Sequence, residues 1–291
     1  MKIIIFSFLF LITSNCVSQM IFNQNGEAFT DEPFFNSQFI QNNKILRIKG
    51  DYSFKKNKDL IRSVPGSFTY EFNRKGQLTS STDLRWNGKN IDTTLQFYEY
   101  NDLGSIVAIK KSENMGITLE QFERDSLNRI ISQTNYRVTI NEKGEVLQKT
   151  EMNQEKMTYF QDKKTTYNSY GLPYLISYQL YNEDGYKTTS IDKLKMGGTV
   201  YKKDYEYNSK GLLTGIRTYY DNYPNPVKEL KFQYDDFGNI IERHEIKQDV
   251  FIRDLQIIFD TKTGLLHSII DTNPINNFMS IIRFTSYEFY D

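Results

Sequence analysis

Tyr205-Glu206-Tyr207-Asn208-Ser209-Lys210-Gly211-Leu212-Leu213 decides the fold. Its first three residues alternate aromatic and polar, the signature of a strand with one buried face. Asn208 then opens a turn. A type I turn favours Asn or Asp at its first position, where the side chain caps the backbone, and glycine where the chain turns left-handed into the next strand. The stretch therefore reads as strand, hairpin turn, strand. It recurs as Tyr70-Glu71-Phe72-Asn73 leading to Gly76 and Leu78, as Tyr98-Glu99-Tyr100-Asn101 leading to Gly104 and Ile106, and as Phe232-Gln233-Tyr234-Asp235 leading to Gly238 and Ile240. Looser copies run from Val138 through Asn141 and Gly144, from Asn168 to Gly171, from Asn182 to Gly185, and from Asp260 to Gly264 with one extra residue. In the copy at Phe122–Ile130, Asn128 occupies the glycine place, a substitution that still tolerates a left-handed backbone.

Between these turns lie return turns at Asn87-Gly88, Asn114-Met115-Gly116, Gly197-Gly198 and Asp221 to Pro226, so most repeat steps hold two strands. Phe68, Tyr70 and Phe72 share one face and Thr69 and Glu71 the other; Leu230, Phe232 and Tyr234 oppose Lys231 and Gln233. The prediction is an all-β antiparallel meander of repeated hairpins over residues 45–291, its Tyr/Phe face inward. Sheets wider than about ten strands curl, split or close as twist accumulates. The expected form is one large curled or two-layered sheet. Residues 19–44 do not fit the repeat. Asp31-Glu32-Pro33 followed by Phe34, Phe35, Phe39 and Ile40 predicts a short N-terminal helical cap that plugs an open end of the sheet.

Composition agrees. Among 291 residues there are 21 Tyr and 21 Phe against one Trp, and alanine occurs only at Ala28 and Ala108. A chain so poor in the best helix former and so rich in aromatics is unlike a helical protein. Lys plus Arg and Asp plus Glu both number 36, so the net charge is formally zero. That balance speaks against nucleic acid as a partner.

Met1 and Lys2 precede the apolar run Ile3–Ile12 and the polar stretch 13–18, the order of a secretory signal peptide over residues 1–18. Cleavage before Gln19 leaves a secreted, periplasmic or cell-surface chain with no sulfhydryl, because Cys16 is the only cysteine. Lipidation of Cys16 is the other reading of the same segment, and it would tie the chain to a membrane.

The recurring Tyr-x-Tyr-Asn/Asp-x-x-Gly-x-Leu unit resembles the YD repeat of Rhs-like bacterial secreted and surface proteins, from about Tyr70 to Leu266 and most clearly over Tyr205 to Arg243. The resemblance implies a wide β-sheet outside the cytoplasm; in that family the sheet wraps into a hollow shell. The copies here are fewer and more loosely spaced than that family's, so its closed shell is not expected.

No catalytic constellation is visible. His244, within Glu242-Arg243-His244-Glu245, reads as part of a solvated strand, and neither it nor His267 has a ligand at metal spacing. Asp235-Asp236 and Asn182-Glu183-Asp184 lie in turns, where acidic residues serve the backbone. The chain is therefore expected to be no enzyme, to use no cofactor or metal, and to bind or scaffold a glycan or envelope protein. Its candidate contacts are Trp86, Tyr219, Tyr220 and Tyr223, rings on accessible loops that suit sugars or protein anchors. The structural turn residues are Asn73, Gly76, Asn101, Gly104, Asn141, Gly144, Asn208, Gly211, Asp235 and Gly238. The alternatives are an outer-membrane β-barrel, which also alternates apolar and polar residues, and a glycan-active enzyme.

Overall fold

A computed structural model describes residues 19–26, 28–30, 33–141, 145–221 and 223–291. The expected signal peptide with Cys16 lies outside the described residues, as do Asp31, Glu32 and Gly144. A short helix, α1 (Ser37–Asn42), is followed by β1 (Ile45–Lys55), β2 (Arg62–Phe72), β3 (Leu78–Trp86), β4 (Ile91–Tyr100), β5 (Ile106–Glu113) and β6 (Gly116–Arg124). Next come β7 (Ile130–Ile140), β8 (Val146–Phe160), β9 (Lys163–Tyr167), β10 (Pro173–Tyr181), β11 (Lys187–Leu194) and β12 (Val200–Tyr207). The last six are β13 (Leu213–Tyr220), β14 (Lys228–Tyr234), β15 (Ile240–Lys247), β16 (Val250–Phe259), β17 (Leu266–Asn273) and β18 (Phe278–Phe289).

Every strand pairs antiparallel with its sequence neighbours, and β1 also pairs with β18. The sheet is thus neither the open curled nor the two-layered form expected from the repeat; it closes into an 18-stranded ring. The reason lies in β1, whose Ile48 sits opposite Tyr70 on one side and Tyr287 on the other. In a meander each strand reverses the last, so an even number brings first and last strands together antiparallel. Closure leaves no sheet edge to shield.

The described Asn-x-x-Gly turns share one pattern of hydrogen bonds. At Asn73, the Gly76 amide donates to the Asn73 carbonyl (2.9 Å), and Oδ1 of Asn73 accepts from the amides of Lys75 (2.9 Å) and Gln77 (3.1 Å). The copies at Asn101, Asn168, Asn182, Asn208 and Asp235 repeat the backbone bond at 2.9–3.0 Å. Asn128 takes φ +63° in the glycine place. Oδ1 of Asn141 accepts from Glu145 at 2.9 Å.

Each turn is followed by a register shift, and the shift strands a carbonyl. The β3–β4 ladder begins at Ser80 opposite Phe97, so Leu78 lies beyond it. The Tyr100 hydroxyl, at the end of β4, donates to the Leu78 carbonyl at 2.7 Å. The same latch joins Tyr207 to Lys187 (3.0 Å), Tyr234 to Leu213 (2.7 Å) and Tyr159 to Ile130 (2.8 Å), and Tyr287 to Leu266. In the copy where arginine replaces the tyrosine, Arg124 donates from Nε and Nη2 to the equivalent Ile106 carbonyl at 3.1 and 3.0 Å. These side chains hold successive hairpins together at the turn end, where no covalent return joins them.

Phe68, Phe72, Leu213, Ile216, Phe232 and Ile240 point inward and are buried. They pack on the N-terminal segment, whose Met20, Ile21, Ala28, Phe39 and Ile40 belong to the same cluster. The segment doubles back through the Ile21–Phe35 bridge and fills the turn end of the barrel. α1 differs from expectation. Its N-cap is Asn36, whose Oδ1 accepts from Gln38 (3.0 Å) and Phe39 (3.4 Å), so Pro33, Phe34 and Phe35 precede the helix. A polar cap beside the ring placed the start here, and the phenylalanines instead pack on Tyr70 and Phe72.

Two predictions follow from turn and latch. Gly76 and Gly185 share a left-handed backbone, φ +75° and +82°, but a Cβ on Gly76 would lie 1.9 Å from the Ser37 carbonyl oxygen of α1, whereas one on Gly185 meets nothing within 4 Å. Gly185→Ala should lose only the strain of about 1 kcal/mol, and Gly76→Ala clearly more, in denaturant unfolding. Tyr100→Phe should lose about 1–3 kcal/mol with an unchanged denaturant slope, because the Leu78 carbonyl is left unpaired.

Candidate functional site

Above the N-terminal segment the barrel interior stays open and changes character. Period two carries β14 inward at Lys228, Leu230 and Phe232, and the register sets Leu230 opposite Glu245 and Phe232 opposite Arg243. Arg243 and Glu245 therefore face inward. Both are buried, at 5% and 6% exposure. This corrects the reading of Glu242-Arg243-His244-Glu245 as a solvated strand. Only its alternate residues meet solvent, and Nε2 of His244 lies outward, 3.2 Å from Asp254 and 3.5 Å from Glu242.

The next strands add Arg253 from β16 and Asp271 from β17. With Lys228, Arg243 and Glu245 they line a chamber of ≈ 790 Å³. Its other walls mix polar residues, Thr30, Arg85 and Ser280 among them, with rings and aliphatics, including Tyr52, Phe54, Tyr70, Phe278 and Phe284, and Phe29 and Phe34 close it below. A second chamber of ≈ 370 Å³, holding Asp83, Gln96, Lys111 and Glu113, shares Thr30, Phe34, Tyr70 and Arg85 with the first. Strand-end residues Trp86, Lys228 and Phe278 set the mouth at the end opposite the Asn73, Asn101, Asn208 and Asp235 turns.

The charges inside are mostly paired. Arg253 holds Asp271 through two hydrogen bonds of 2.9 and 2.7 Å. Lys228 meets Glu245 at 2.8 Å. Arg85 meets Asp83 at 2.7 Å, and Asp83 accepts the Tyr52 hydroxyl at 2.7 Å. Burial pushes the Tyr52 hydroxyl far above its ordinary value, and the bond to Asp83 adds to this. The bond to Asp271 raises the Arg253 guanidinium against its desolvation. Burial pulls the Glu245 carboxyl upward, but the hydrogen bond and charge of Lys228, with Lys247 and Arg243, outweigh it and hold the group below its ordinary 4.5. Arg243 differs. Burial, then the charge of Arg253, lowers it from its ordinary value, and its recorded bond runs from Nη1 to the Ala28 carbonyl at 2.9 Å. Its Nε is buried without a partner among the described residues.

Of the residues singled out in the sequence, Trp86 borders this chamber. Tyr220 packs edge-on against Tyr201 at 5.2 Å and lies 6.3 Å from Tyr223. Tyr219 faces the other way, under the Lys202 ammonium at 5.5 Å. β3 and β13 share a rim, yet the shorter path between them around the ring is eight strands, so the four rings form no single patch. No group of three His, Cys, Asp or Glu able to hold a metal occurs among the described residues.

Glu245 makes a pH prediction. A carboxyl whose folded pKa is depressed contributes stability above its unfolded pKa and loses it as pH falls through the folded value. Melts from pH 7 to 3 should therefore show less acid destabilisation below pH 4.5 for Glu245→Gln than for the parent chain.

No family model and no curated protein matches the chain. Among solved structures, a porin-like protein from Bacteroides uniformis is 11% identical, with 84% of this chain and 98% of that one covered and a TM-score of 0.41. A porin-like protein from Bacteroides vulgatus is 9% identical over 80% and 97% of the two chains, with a TM-score of 0.28. A TcdB2–TccC3–TEV structure is 13% identical over 78% of this chain and 15% of that one, with a TM-score of 0.31. Likenesses this distant carry no argument about the chamber.

Proposed function

We propose that the chain is an exported, non-enzymatic barrel that stands in water and holds a small ligand in its interior chamber. The carrying observation is the distribution of charge between the two faces of the sheet. Outside, ion pairs lie on the outward face of the strands: Lys202 with Asp204 at 2.8 Å within β12 and, nearer the strand ends, Arg217 with Glu206 at 2.5 Å and Arg47 with Glu71 at 2.8 Å and Glu288 at 2.6 Å. Inside, a mouth leads to a ring-walled space with cations in its wall. Pockets of about 300–1,000 Å³ with apolar walls and a few placed polar groups are the usual form of small-ligand sites. Export is supported by the pattern of residues 1–18, and kinship with YD-repeat proteins by the turn-and-tyrosine unit.

The second reading, an outer-membrane β-barrel, is favoured by closure, since a spanning sheet can leave no edge. Such a barrel needs an outward apolar band, and charges there cost about 2–4 kcal/mol each near the bilayer centre. The outward apolar cluster here, Ala108, Leu119 and Val138 with Ile117, Tyr136 and Ile140, covers β5 to β7. Expression with and without detergent separates the readings. The first expects a monodisperse monomer in plain buffer and no conductance steps in planar bilayers. Aggregation unless detergent is present, together with such steps, would overturn it for the second.

A further inference from the structure

Among the described residues, one cation of the chamber wall has no carboxylate in contact with it. Lys228, Arg253 and Arg85 each have a carboxylate within 2.8 Å, namely Glu245, Asp271 and Asp83. Arg243 forms no ion pair among the described residues, although at 5% exposure it is the most deeply buried of the four. A buried charge is retained where something pairs it, because an uncompensated one costs several kcal/mol. The Ala28 carbonyl supplies a dipole, not a countercharge, Nε has no partner among the described residues, and Glu245 and Asp271, whose charges reach Arg243, are themselves held by Lys228 and Arg253. Arginine offers a planar fork of donors that fits a carboxylate from two N–H groups at once.

The surroundings say what else the ligand carries. Beside Arg243 the wall is Leu255, Ile269 and Phe284, with Phe29 and Phe34 below. These surfaces offer no hydrogen bonds and favour an apolar body. The chamber of ≈ 790 Å³ accommodates a drug-sized molecule.

We infer that the chamber binds an amphipathic monocarboxylate, its carboxylate on Arg243 as the missing counterion and its apolar part along the ring-lined wall. This rests on the ligand-binding reading above and narrows it to one class. Binding needs no covalent step. Small adjustment of the guanidinium, held by the single bond from Nη1 to Ala28, brings Nε and the second terminal nitrogen toward the ligand.

Calorimetric titration of the full chain with decanoate, decanol and galacturonate tests this. Decanoate should bind, and decanol should bind about tenfold or more weakly, the loss expected when a charge-assisted hydrogen bond is removed. Arg243→Gln should erase the difference between decanoate and decanol, and Arg243→Lys should restore part of it. Galacturonate binding that is lost in Arg243→Gln, without decanoate binding, would keep the carboxylate site but overturn the apolar body. Equal affinity of the parent chain for decanoate and decanol would overturn the carboxylate inference and leave the ligand-binding reading standing. Failure of all three probes to bind overturns the inference, while the detergent comparison still decides the broader reading. The decanoate–decanol comparison uses the parent chain, so it stands even where a variant fails to fold.

Discussion

A bulged hairpin leaves a carbonyl outside the strand ladder, and a carbonyl left without a partner costs stability. At Tyr100, Tyr207 and Tyr234 the tyrosine before the turn Asn or Asp answers it from the neighbouring strand. That bond accounts for a hydroxyl-bearing ring in these copies, whereas Phe72, Ile140 and Phe259 hold the same place without one. It also accounts for arginine in one copy. Arg124 substitutes because a guanidinium is the other side chain present that is long enough and carries donors at its tip. The latch sets the spacing between hairpins at one end of the ring, and every other feature is built on that spacing.

With hairpins latched and the ring closed, the two faces meet different demands. The outward face carries cross-strand ion pairs such as Arg217 with Glu206, which contribute little singly. The inward face divides by height. Near the turns it is aliphatic and aromatic and is covered by the N-terminal segment; toward the far rim it turns polar, with Arg253 held on Asp271 and Lys228 on Glu245. An interior filled wholly with side chains would need a narrower ring, since about 16–18 strands enclose more space than side chains fill.

Much of this was legible in the residues. The hairpins, their glycine and asparagine positions and the inward direction of Phe68, Phe72 and Phe232 follow from spacing and period two alone. Closure was not, because turns report which strands are neighbours in sequence and say nothing of whether Ile48 meets Tyr287. The chamber was hidden for a related reason. Arg243 and Glu245 sit in a run of alternating charge that looks hydrated, and only the register opposite Phe232 and Leu230 shows that they point inward. The rings of Trp86 and Tyr220 were visible as candidates, but loop exposure carries no information on which side of the ring a side chain lies.

The N-terminal segment sits among the last strands to be made. Met20 accepts a hydrogen bond from the Leu266 amide, Arg243 holds the Ala28 carbonyl, and β1 pairs with β18. These contacts join residues more than two hundred apart in the chain, so ring closure and the seating of the N-terminal segment are one long-range event, and such non-local pairing gives the molecule a high contact order.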